Sequence, residues 1–167
     1  MKKILILSDS HGLLENDVLK YIEQADEVWH AGDWGSMEVF EQLEKTGKII
    51  RGVYGNIDGG KLRTVLKEET VFVCDGVKIF MTHIGGYPGR YSMGIIDKLK
   101  LHHPHLFICG HSHILKIIQD KELQVLHINP GACGRHGFHI FRTMVRIEIN
   151  EGKITKADVI ELGRRTT

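Results

Sequence analysis

With 167 residues, 22 basic and 21 acidic side chains and a formal net charge of +1, the chain has the size of one domain built around one substantial core. It lacks the broad basic footprint of a protein that binds long nucleic acid or an anionic membrane surface. A hydrophobic fraction of 42% beside a charged fraction of 26%, with no apolar run near the roughly 18 residues of a membrane span, excludes both disorder and a membrane helix.

The first element expected is a strand over residues 3–8 (KILILS), a β-rich run apolar enough to be buried on both faces. The apolar run before Asp9 is too short for a secretory signal and has no small-residue cleavage site behind it. Leu14, Val18, Ile22 and Ala25 then recur at helical spacing, and Val28 to Ala31 is a second strand leading into GDWG. Ser36 is placed to cap a helix carrying Val39, Phe40 and Leu43, with Gly47 to end it, and Ile49 to Tyr54 is a third strand running into GNIDGG. Beyond residue 65 the pattern changes. Two β-rich runs flank Asp75-Gly76, a hairpin signal, and Ser92 is placed to cap a helix with Ile95, Ile96 and Leu99 inward that ends before Pro104. HLFICG is one more strand leading into GHSH, and hairpins follow over 114–119 with 123–128 and over 143–149 with 153–161. Parallel βα units followed by hairpins predict a layered α/β fold, with two sheets face to face and helices outside.

The composition carries one imbalance: 11 histidines against 3 cysteines. Cys74, Cys109 and Cys133 are odd in number and show no CxxC spacing, so they predict neither a disulfide framework nor a thiolate zinc site and point to a reducing, cytoplasmic setting. Asp9 and His11, Asp33, Asn56, His83, and His111 with His113 each fall just after an expected strand. Ligand sites in open α/β sheets form at the carboxyl ends of strands. Imidazoles, carboxylates and one amide are a donor set for Mn, Fe, Ni or Zn rather than Mg or Ca. Read singly, each fragment has an ordinary explanation: Asp9 as a helix cap, GNID as a turn, His83 as a strand-end histidine, GHSH as a surface turn.

Taken together, SDSHG at 8–12, HAGD at 30–33, GNID at 55–58, TH at 82–83, GHSH at 110–113 and NPG at 129–131 resemble the calcineurin-like metallophosphoesterase superfamily. Within it, the chain is most similar to the small bacterial and archaeal phosphodiesterases of the YfcE and MJ0936 type, whose eukaryotic relative is a retromer subunit. The resemblance implies a four-layer αββα sandwich with mixed sheets, spanning residues 1–167 as one domain. It implies that Asp9, His11 and His113 hold one divalent metal, that Asn56, His83 and His111 hold a second, and that Asp33 bridges both, with a bridging hydroxide as nucleophile and Asp33, Asn56 and His83 at the catalytic centre. Mn2+ is the expected metal, with Ni2+, Fe2+ or Zn2+ as alternatives. Two divalent metals, Asp9, Asp33 and a hydroxide leave a local charge of about +1, which suits the single negative charge of a phosphodiester.

Three departures from the family pattern stand out. Ile57 replaces a residue that is often histidine or cysteine, and it can donate no proton. THIGGYPGRY replaces the frequent THGH. After NPG comes ACGRHGFH, whose Arg135 and His136 are candidates for substrate binding and for assisting the leaving group. His30 is expected to support the site rather than ligate, and Trp34 either walls the pocket or packs in the core. The expected activity is hydrolysis of small phosphodiesters, with phosphomonoester hydrolysis or a non-catalytic interaction scaffold of the retromer-subunit kind as alternatives. No long nucleic acid or membrane partner is expected, and a homo-oligomer stays open.

Overall fold

The computed structural model describes residues 1–166. The chain begins with β1 (Lys2–Leu7), α1 (Asn16–Glu23), β2 (Glu27–His30), α2 (Met37–Glu44), β3 (Ile49–Gly52) and α3 (Gly60–Val65). It continues through β4 (Glu69–Cys74), β5 (Val77–Thr82), the short pair β6 (Gly86–Tyr87) and β7 (Arg90–Tyr91), then α4 (Ile95–His102) and β8 (Leu106–Ile108). Two hairpins finish it: β9 (Lys116–Asp120) with β10 (Val125–Asn129), and β11 (Phe141–Asn150) with β12 (Lys153–Arg164).

Two five-stranded mixed sheets result, in the orders β12-β11-β1-β2-β3 and β4-β5-β8-β10-β9. β1, β2 and β3 are mutually parallel, as are β5, β8 and β10, while the outer hairpin strands pair antiparallel. Alternation along each strand builds the layers. Ile4, Ile6 and Trp29 of one sheet meet Ile79, Met81, Leu106, Ile108 and Ile128 of the other in the central core. From the opposite face, Leu5, Leu7 and Val28 pack under Val18, Ile22, Val39, Leu43 and Leu62 of the three helices on that side. Phe80 and Phe107 pack under Ile95 and Leu99 of α4. The order of layers is therefore helix, sheet, sheet, helix, an αββα sandwich.

Several local expectations shift. The helix expected from Ser92 starts two residues later, with Gly94 as its N-cap at φ 82°, while the Ser92 carbonyl accepts from Ile95 N–H. Ser36 does precede α2, but its hydroxyl makes no cap bond. The third strand ends at Gly52 rather than Tyr54: Val53 N–H still reaches His30 O, but there the chain passes to an isolated bridge with Lys67, whose carbonyl takes Tyr54 N–H. α3 and the β6–β7 hairpin inside GGYPGRY were not expected. The first is only six residues long and the second has two residues per strand, too little for a periodic signal.

Candidate metal centre

β1, β2 and β3 in one sheet and β5, β8 and β10 in the other send their following loops to one rim. Past the end of the β1–β2 ladder the two loops stay joined by backbone bonds, Asp9 N–H to Gly32 O, His11 N–H to Asp33 O and Gly12 N–H to Trp34 O. Gly110 N–H donates to His83 O across the other sheet, and Cys133 and Gly134 N–H donate to Ser8 and Asp9 carbonyls. Five loop residues sit in the left-handed region: Asp9 (φ 53°), His11 (49°), Asp33 (56°), His111 (71°) and His113 (60°). Each such residue costs of order 1 kcal/mol or more in general, and clustering of this strain marks a site whose surroundings hold it in place. Close approach also demands small residues, since a Cβ on Gly55 would fall on the Asp33 carboxylate and one on Gly110 on the side chains of Ser8 and Asp9.

The side chains gather in two groups whose candidate ligand atoms lie within 4.8 Å of one another, Asp9 with His11 and His113, and Asp33 with His83 and His111. His113 Nε2 is 3.1 Å from Asp9 Oδ1. Asp33 Oδ2 stands between the groups, 3.6 Å from His11 Nε2 and 3.3 Å from His83 Nε2. Asn56 joins the second group through Oδ1, 3.0 Å from His111 Nδ1. Asp9 Oδ1, His11 Nε2 and His83 Nε2 are buried without a hydrogen-bond partner. Orphaned polar atoms of this kind are costly unless something else satisfies them, and imidazole nitrogens facing carboxylate oxygens are the donor set of a divalent metal site. The residues therefore fit such ions.

Surrounding groups fix which atoms face inward. Asp9 Oδ2 accepts from Ser8 Oγ (2.7 Å) and His111 N–H (3.2 Å), leaving Oδ1 free. His83 Nδ1 lies 2.7 Å from Ala31 O, which makes it the protonated nitrogen and leaves Nε2 as a lone pair. Asp33 Oδ1 accepts from Ile57 N–H at 3.1 Å. Electrostatics are divided: burial lowers the pKa of His11 against the pull of Asp33 and Asp9, whereas for His83 the nearby Asp33 and Asp9 carboxylates outweigh burial and raise it. Burial opposes the Asp33 charge, but the nearby His83 and His11 imidazoles and the Ile57 N–H bring its pKa down overall. Asp33 therefore stays charged and draws positive charge to the space between the groups.

The flanking residues separate clearly. His30 is buried, accepts from Gly32 N–H at Nδ1, meets Ser10 Oγ at 2.9 Å through Nε2 and stacks on Trp34 at 3.9 Å. Burial holds its pKa down to about 3, so it is a neutral prop. Trp34 is fully buried with its indole N–H on Val53 O, which places it in the core. His136 stacks on His11 at 4.7 Å between ring centroids and lines the cleft over the ligands. Arg135 turns away, with its guanidinium on Glu15 and on the carbonyls of Arg164 and Arg165.

Three supporting residues were not identified from the sequence. Buried Asp58 accepts from Trp34, Gly35 and Gly55 N–H, tying the GDWG and GNID loops together. Asn129 donates to Gly110 O and Ser112 Oγ, holding the GHSH loop. His139 takes its Nε2 to Gly134 O at 2.9 Å and its Nδ1 to within 3.3 Å of His113 Nδ1. Asp58 and Asn129 lie within the GNID and NPG motifs, a signal that was available. His139 had none.

Residues 1–152 match the calcineurin-like phosphoesterase superfamily domain. The chain is 35% identical over 147 residues to the phosphodiesterase MJ0936 of Methanocaldococcus jannaschii, covering 78% of this chain and 84% of that protein. It is 33% identical over 141 residues to a probable metallophosphoesterase of Mycoplasma pneumoniae, covering 79% of each. Among solved structures, an archaeal phosphodiesterase superposes with a TM-score of 0.75 at 25% identity, over 96% of this chain and 99% of that one. Vps29 of Entamoeba histolytica, complexed with zinc, superposes at 0.72 with 17% identity, over 95% and 98%. This chain belongs to the calcineurin-like phosphoesterase superfamily.

Proposed function

We propose that the chain is a dinuclear metal-dependent phosphodiesterase acting on small diesters. The observation that carries this reading is the convergence of unpartnered Asp9 Oδ1, His11 Nε2 and His83 Nε2 around Asp33 Oδ2. Asp9, His11 and His113 would hold one divalent ion, Asn56, His83 and His111 the other, and Asp33 both. Two such ions supply Lewis acidity and lower the pKa of water toward neutrality. Mn2+ suits this mixture of carboxylate, amide and imidazole donors.

The chain's own residues set the rest. Asp33 is kept anionic by Ile57 N–H and His83 and joins the two groups. Asn56 offers an oxygen without charge, so the centre keeps a net positive field for one phosphoryl negative charge. His136 lies over His11 in the same cleft, where it meets the substrate. Ile57 lines that cleft with no proton to give, so the leaving group departs with little help. Three buried free cysteines suit a reducing cytoplasm, and among the described residues no helix is long and apolar enough to cross a membrane.

The test joins metal analysis to hydrolysis of bis(p-nitrophenyl) phosphate and p-nitrophenyl phosphate with Mn2+. About two ions per chain and faster diester turnover are expected. Metal binding without hydrolysis of either ester would favour a scaffold, and faster monoester turnover would reverse the assigned selectivity.

A further inference from the structure

Two clefts open on the metal centre and differ in chemistry. One, of about 510 Å3, is bounded by Asn56 and His83 on the site side and by Arg63, Glu68, Glu69 and Lys98 beyond. Its charges are already engaged in part: Lys98 pairs with Glu69, and Arg63 donates from Nε to Asp58 O at 2.6 Å with its guanidinium 4.5 Å over the Tyr54 ring. The other cleft, of about 440 Å3, has candidate ligands His11, Asp33, Asn56, His111 and His113 as its floor, and among the described residues lining it there is no lysine or arginine.

The walls of this second cleft offer little polar surface to a ligand. Ser112 Oγ is taken by Asn129 and Ile114 N–H, and both nitrogens of His139 are engaged. What faces a ligand is Ile57, Ile114 and Phe138, which are 48%, 57% and 101% exposed, together with the exposed His136 ring. A large apolar group left in water beside coordinating atoms is unusual unless something covers it.

We propose that this cleft seats an uncharged, apolar ester arm of the substrate, aryl or alkyl, against Ile57, Ile114 and Phe138. This inference rests on the phosphodiesterase reading, because the ligand floor determines where the phosphoryl group lies and the arm must leave through a cleft adjoining it. A charged arm entering here would lose hydration and meet no counter-charge, whereas an apolar arm gains with every buried square ångström. The substrate is then asymmetric, with any ionic or polar arm directed to the Arg63 cleft.

Calorimetric titration of the Mn2+-loaded protein with phenylphosphonate and methylphosphonate, which carry the same phosphoryl group and differ in the arm, tests this directly. Phenylphosphonate should bind about tenfold tighter. In the Ile114→Ser/Phe138→Ser double variant that preference should fall to about twofold or less, with the methylphosphonate Kd unmoved. Arg63→Met should leave the preference intact. Both replaced side chains are exposed, and an unchanged thermal melting curve verifies folding. Equal affinities in the parent protein, no binding of either ligand, or a preference that survives the double variant would each overturn the proposal; the last would assign the apolar rim to another occupant, such as a protein partner. Hydrolysis of bis(p-nitrophenyl) phosphate distinguishes the two readings. Turnover without a phenyl preference defeats only the apolar arm, and a phenyl preference lost in the double variant, without turnover, defeats only the phosphodiesterase.

Discussion

Gly134 O settles the tautomer of His139: by accepting from Nε2 it leaves Nδ1 as an acceptor, which in turn calls for a proton on His113 Nδ1 and frees His113 Nε2 toward Asp9. His139→Phe should therefore weaken Mn2+ binding by roughly 10- to 100-fold, read by competition with a chelating dye. His139→Asn, which restores an acceptor, should recover part of it. Asn56→Asp should keep both metals but lower diester turnover, because a second charge on that loop offsets the positive field; full metal content with unchanged turnover would sink the charge argument. Ile57→His should raise rates mainly for diesters with poor leaving groups, flattening the dependence of rate on leaving-group pKa. The residue types and their strand-end positions were legible in the sequence. The left-handed conformations of Asp9, His11, Asp33, His111 and His113 were not, because an Asp or His only raises the odds of a positive φ and the packed loops decide where it is taken.

Loops, rather than helices or strands, carry the site, and each is pinned by something distant in sequence. Asp58 holds Trp34 and Gly35 N–H from 24 and 23 residues away, and Asn129 holds Gly110 O from 19. Asp58→Ala strips three backbone N–H groups, two of them buried, of their acceptor and should cost roughly 3 kcal/mol in urea unfolding, with loosened metal binding, while Asp58→Asn should cost less. At this scale the strands were readable because alternation and β-rich runs are local. The Asp75-Gly76 hairpin was equally readable, its two residues taking φ 46° and 82° between paired Cys74 and Val77. Ser92 failed as a cap because the chain first closes the β6–β7 hairpin, with Ser92 N–H on Gly85 O, and turns into α4 through Gly94.

Across the whole molecule, buried titratable groups outside the metal centre set the response to acid. His127 on β10 is fully buried with neither ring nitrogen partnered, and burial, then Lys116, against the pull of Asp120, hold its pKa near 4. Unfolded, it takes a proton near 6.5, so between those values the unfolded chain binds more protons and stability falls as pH drops. The contribution is roughly 3 kcal/mol over that window. His30 acts with the same sign, with its pKa near 3. Glu27, buried but held by Lys2, Trp29 and Arg51 near 2, continues the loss as pH falls below its ordinary 4.5. Denaturant melts from pH 4 to 7 should show the slope, and His127→Leu should flatten its share while leaving that of His30. Taken by itself, the sequence determined the layered α/β class, the family and which residue types gather at strand ends, since hydrophobic period and motif order are local properties of the chain. Only the tertiary structure decided which nitrogen of His83 and of His113 is free, that Arg135 serves Glu15 rather than the cleft, and that an apolar wall stands beside the ligands. Those depend on contacts between segments separated by up to 120 residues, whose geometry no local pattern encodes.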